Sequence, residues 1–167
     1  MVATTSTPPS EAVIVRLWMP EPGGLLELWR HEAPRTLAAV GSFVDEDLGY
    51  RASGSTQSVG ELCAYVADSY RLTEHWLAHD APRPEPARPP LTAVAQAVAT
   101  LADCQRSLFE ALDTTAPDRF RDVIAPFGVP EHRGVMALGM FKHDLHYRGE
   151  LYALARVCGH RPPDLYA

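Results

Sequence analysis

What this 167-residue chain lacks narrows its chemistry first. It has no positive excess: 15 Lys and Arg face 21 Asp and Glu, a formal net charge of -6. That balance supplies no broad positive field for a nucleic-acid backbone or an anionic bilayer. The only three cysteines, Cys63, Cys104 and Cys158, lie far apart within helix-like patterns. Such spacing excludes a disulfide framework and points to a reduced, cytoplasmic setting in which they are small apolar residues. No apolar run approaches membrane-spanning length. The opening MVATTSTPPS has no basic n-region, and Arg16 interrupts AVIVRLW too early for an export signal. A phosphate-binding glycine loop, a paired-cysteine metal motif, a serine-nucleophile motif and a nucleic-acid recognition module are absent too. The expected partners are therefore a small organic substrate and, at most, a second copy in a homodimer.

What is present is helical periodicity. Residues 1–20 read as a flexible N-terminal segment in which EAVIVRLWMP forms a short extended stretch halted by Pro20. Residues 21–167 read as one helical domain. Leu25, Leu26, Trp29, Ala33, Leu37 and Val40 make a first stripe, with Pro34 expected as a kink inside a continuous helix. The SVGE sequence puts Ser58 and Glu61 in the capping-box relation and predicts a second helix running to about Ala78. The proline-rich DAPRPEPARPP must break it. A third helix is expected from near Leu91, carrying Val94, Val98, Leu101, Leu108 and Leu112 inward. A long connection then leads to a fourth, stopped by Gly159 and the Pro162–Pro163 pair. Four helices with little strand propensity make the fold class all-alpha, a four-helix bundle.

The fourth helix contains FKHDLHYRGE, which crowds His143, His146 and Tyr147 onto one turn. His143 and Tyr147 point to one side and His146 to its other flank, within an apolar frame that includes Met136, Met140 and Leu154. Asp144 points elsewhere and is expected to form a solvent ion pair. His75 and His79, four apart at the end of the second helix, read as an exposed polar end.

Together, the Ser-Val-Gly-Glu-Leu opening of the second helix and the His143-to-Arg148-Gly149-Glu150 run with its late Gly159 and Pro163 resemble the DinB/YfiT-like superfamily of four-helix bundles. The resemblance covers roughly residues 22–166. Many members hold one divalent metal with three histidines, one from helix two and two from helix four. Position by position, those roles fall on Tyr65, His143 and Tyr147, so only His143 keeps an imidazole, and His146 sits one residue out of register. The resemblance therefore implies a degenerate three-histidine site. An unperturbed phenol, with a pKa of about 10, makes a poor zinc ligand near neutrality. We therefore expect no metal and no cofactor.

Three functions fit these residues. In the first, His143 exchanges protons while Tyr65 and Tyr147 orient substrate oxygens, giving a metal-independent isomerisation, cyclisation, elimination or group addition. In the second, His143 and His146 retain an altered metal for thiol transfer or isomerisation, as the superfamily implies, with Asp68 as an extra donor or proton relay. In the third, the bundle binds a small molecule or another protein without catalysis. Arg148 and Glu150 serve either to support the site electrostatically, as the motif implies, or to form a structural salt-bridge network.

Overall fold

A computed structural model describes residues 20–164; the expected flexible and extended N-terminal stretch falls almost entirely outside them. Four long helices dominate: α1 (Pro22–Val40), α2 (Val59–Ala78), α3 (Val94–Thr114) and α4 (Arg133–Val157). Two short 3-10 turns, Asp45–Gly49 and Pro117–Arg121, lie in the connections. A two-residue antiparallel pair, β1 (Val123–Ile124) with β2 (Glu131–His132), closes the connection before α4. The sequence gives no periodic signal for so short a pair. It forms because Gly128 at φ +77° allows the chain to turn back.

The all-alpha bundle is as expected, and so are most boundaries. Ser58 Oγ accepts from the Glu61 amide at 3.2 Å, and Glu61 accepts from the Ser58 amide at 2.6 Å, completing the capping box that starts α2. Pro34 lies inside α1, which continues through it. The start of α3 is a correction. Leu91 is extended rather than helical because its amide donates to the Gly60 carbonyl at 3.2 Å. The helix begins at Val94, whose amide donates to Asp45 Oδ1 at 2.7 Å.

Helix α3 packs against α1 and α2, and α4 does the same, so α1 and α2 stand diagonally across the bundle. Trp29, Tyr70, Leu101, Leu108, Phe120 and Leu151 fill the centre. Trp29 meets Phe141 edge to face with ring centroids 5.4 Å apart. Burial of such side chains, at roughly 25 cal/mol per Å² of apolar area, is the main force holding the helices together.

A buried polar network ties all four helices at one level. Asp144 Oδ1 accepts from Tyr70 Oη at 2.7 Å and from Thr36 Oγ1 at 3.1 Å. Gln105 donates to Tyr70 Oη at 3.1 Å and to the Ala33 carbonyl at 3.2 Å. Asp144 is 2% exposed, so the expected solvent ion pair is wrong. Sequence periodicity could not separate the two because polar and apolar residues alternate closely around this turn of α4. The network has a positional consequence. With Asp144 anchored inward, the preceding residue, His143, is turned toward α2.

Candidate functional site

The site lies between α2 and α4. Tyr65 Oη and His143 Nε2 are 3.3 Å apart, a long hydrogen bond, and the two rings are centred 5.5 Å apart. Tyr147, one turn along α4, meets His143 at 4.5 Å and Tyr65 at 5.2 Å, both edge to face. His146 packs on Tyr147 at 5.0 Å from the exposed side. The structure thus brings together Tyr65, His143 and Tyr147, with His146 at the rim.

Burial, followed by the nearby His146, lowers the His143 pKa below its ordinary value of 6.5, so the ring is neutral at pH 7. Its Nδ1 is buried and has no hydrogen-bond partner. Burial raises the Tyr147 pKa, and the Tyr65 phenol and Glu150 add to the effect, so Tyr147 keeps its proton. A neutral imidazole beside the protonated Tyr147 can accept a proton while hydroxyls hold an oxygen.

The other anticipated residues take different positions. Asp68 does not reach His143; it pairs with Arg83 at 2.5 Å and with Arg88 at 3.5 Å. The simple helical spacing from Tyr65 missed these arginines because they arrive from the proline-rich loop. Arg88 also lies over the Tyr65 ring, its Cζ 5.3 Å from the centroid, and sequence reasoning did not single it out. Its signal was the pair of arginines in DAPRPEPARPP, which the loop carries back along α2. Arg148 faces α1, donating to Glu32 Oε2 at 2.5 Å and to the Glu32 carbonyl at 3.1 Å. The contact is an ion pair between α4 and α1. Glu150 is half-buried and close enough to act on the Tyr147 phenol.

Arg133, fully buried at the start of α4, was not anticipated either. It donates to the Trp76 carbonyl, to the His79 carbonyl at 3.1 Å and to Asp80. A buried guanidinium there satisfies carbonyls at the end of α2 that no longer have helical partners. It locks α2 to α4 beyond the site. His75 and His79 stack on each other at 4.6 Å, at the helix end where their spacing placed them.

A bundle with this motif defines the class: the DinB family profile matches residues 19–167, and the chain belongs to the DinB family. Among solved structures it is similar to a DinB-like protein from Bacillus cereus ATCC 10987, with a TM-score of 0.75 and 19% identity over 87% of this chain and 98% of that one. It is likewise similar to a DinB-like protein from Bacillus subtilis, with a TM-score of 0.71 and 14% identity over 84% of this chain and 96% of that one. These likenesses establish the fold. No curated protein matches.

The divalent metal that the superfamily resemblance implies does not fit the donors at this position. Tyr65, His143 and Tyr147 offer one imidazole and two phenols, and Tyr147 is biased toward its protonated form. His146 faces out from the rim. Among the described residues, no group of three or more His, Cys, Asp or Glu side chains is arranged to hold a metal. Among them, too, no helix is long and apolar enough to cross a membrane.

Proposed function

We propose that the chain is a small-molecule enzyme whose Tyr65, His143 and Tyr147 form a metal-independent acid/base site. By the superfamily resemblance, they fall at the positions where many members carry three metal-binding histidines. The observation that carries this reading is the 3.3 Å contact between Tyr65 Oη and Nε2 of a His143 kept neutral by burial. A hydrogen bond at the long end of the range is readily exchanged for one to a substrate oxygen.

The chemistry that suits these groups is proton abstraction beside a carbonyl. His143 Nε2 takes the proton, and the C–H electron pair moves through the adjacent carbon to leave an enolate oxygen. Tyr65 donates its hydroxyl hydrogen bond to that oxygen, and Tyr147 supplies a second protonated hydroxyl at its edge. Return of the proton from His143 to a different atom gives an isomer and restores the neutral imidazole. Elimination or cyclisation uses the same first step.

Product-resolved screening against small carbonyl compounds, followed by variants, tests the assignment. His143→Gln is expected to lower turnover by about 10²- to 10⁴-fold, and Tyr65→Phe by about 10²-fold, with melting temperatures close to the parent's. If a substrate is found and His143→Gln, Tyr65→Phe and Tyr147→Phe all process it like the parent, the catalytic assignment is wrong. Ligands that bind and are recovered unchanged would instead make this a binding site.

A further inference from the structure

On the α2 side of the aromatic cluster, the proline-rich loop folds back over the helix and encloses a recess of about 220 Å³. Its walls come from Ala64, Ala67, Asp68 and Arg71 of α2, from Arg83 and Arg88 of the loop, and from Thr100 of α3. Three guanidiniums therefore face one carboxylate. Asp68 is almost fully buried, with 8% of its side chain exposed, and holds Arg83 at 2.5 Å and Arg88 at 3.5 Å. Glu85, which pairs with Arg88 at 2.5 Å, is 81% exposed. Its lining carries three arginines against Asp68 alone, an excess of two positive charges, and Glu85 offsets part of this at Arg88 from outside the recess.

Two features show that this excess is not consumed internally. Arg83 Nε is buried with no hydrogen-bond partner, so one donor of a guanidinium already fixed by Asp68 remains unused. Arg71 is solvent-exposed while lining the same space. Arg88 connects the recess to the candidate site, because it both lines the recess and sits over the Tyr65 ring. Asp68 fixes two of the guanidiniums in advance, which lowers the ordering cost of binding an anion.

We propose that this recess is the carboxylate-binding subsite of the enzyme, so that its substrate is a small carbonyl compound bearing one carboxylate. The inference rests on the reading of Tyr65 and His143 as the reacting groups, and it names the class of molecule they receive. Planar guanidiniums match a carboxylate with paired hydrogen bonds. An acid anchored here lies beside Arg88, the residue that also covers the Tyr65 ring.

Binding is measurable without knowing the substrate. Benzoate is titrated into the ¹⁵N-labelled full chain, with benzamide as its neutral counterpart and inorganic phosphate as the competing anion. Benzoate is expected to shift the amides of Ala64, Ala67 and Thr100 and to bind at least about tenfold more tightly than benzamide. Arg71→Gln, at an exposed position that leaves the Asp68 ion pairs intact, and Arg88→Lys, which keeps the charge but loses the paired geometry, are each expected to weaken benzoate by about tenfold. His143→Gln is expected to leave benzoate affinity within about twofold of the parent's. Equal binding of benzoate and benzamide, or parent-like binding by both arginine variants, would overturn the subsite. Phosphate binding more tightly than benzoate would overturn the carboxylate assignment. If the arginine variants lose benzoate but His143→Gln turns over substrate normally, the recess stands and the catalytic reading falls.

Discussion

Replacing Gly60 with alanine probes how α2 supports the loop that carries Arg88. Gly60 lies in the first turn of α2, and its carbonyl accepts from the Leu91 amide at 3.2 Å. A β-carbon built there would fall far inside contact distance of the Leu91 carbonyl oxygen, and 3.1 Å from the Leu48 carbonyl oxygen. Both neighbours are backbone atoms, so no side-chain rotation relieves the clash and the whole segment must move. Overpacking usually costs about 1–3 kcal/mol, and a backbone clash belongs at the upper end, about 3 kcal/mol. At about 2–4 °C per kcal/mol for a chain of this size, Gly60→Ala should melt about 6–12 °C below the parent. Thermal unfolding followed by circular dichroism measures this, and urea titration checks that the slope is unchanged. A melting temperature within 2 °C of the parent's, on the scale of about 2–4 °C per kcal/mol, would refute the close approach of α2 to Leu91.

Asp144 makes the folded protein less stable as pH rises. Burial raises its pKa above the ordinary 3.8 despite hydrogen bonds from Tyr70 and Thr36, so between the unfolded and folded values the native state binds the extra proton. That contribution is greatest below about pH 4 and is lost as pH climbs through the folded value. Urea midpoints from pH 4 to 8 should therefore fall for the parent relative to Asp144→Asn; a constant difference would contradict the burial argument. Purified without added metal, the protein should lack a stoichiometric, tightly held zinc ion by elemental analysis, because the cluster offers two phenols beside a single imidazole. One zinc per chain, held through His143, would instead favour metal-dependent chemistry.

The bundle was legible because its signals are local. The capping box at Ser58 and Glu61, the stripe from Leu101 to Leu112 and the stop at Gly159 each depend on residues within a few turns. The facing of Tyr65 and His143 was legible only through the motif resemblance, since no local pattern states which two helices meet. Asp144 was misread, and the surroundings of Asp68 went unseen, for one reason. Their partners, Thr36, Tyr70, Arg83 and Arg88, come from other helices or from a loop whose path spacing does not specify. A buried acid and an exposed one look alike until those partners are placed. Arg133 was hidden in the same way, because a charged residue at a helix start reads as solvent-facing unless a carbonyl end is packed over it.

Proton transfer at this site requires His143 to be a neutral acceptor presenting Nε2 to Tyr65. Nitrogen-15 NMR of the labelled imidazole, recorded across a pH titration of the folded protein, reads both its pKa and its tautomer. His143 is expected to titrate below its ordinary 6.5, and its neutral form to carry the proton on Nδ1, leaving Nε2 as the acceptor. Titration above that value, or a neutral ring protonated on Nε2, would contradict it.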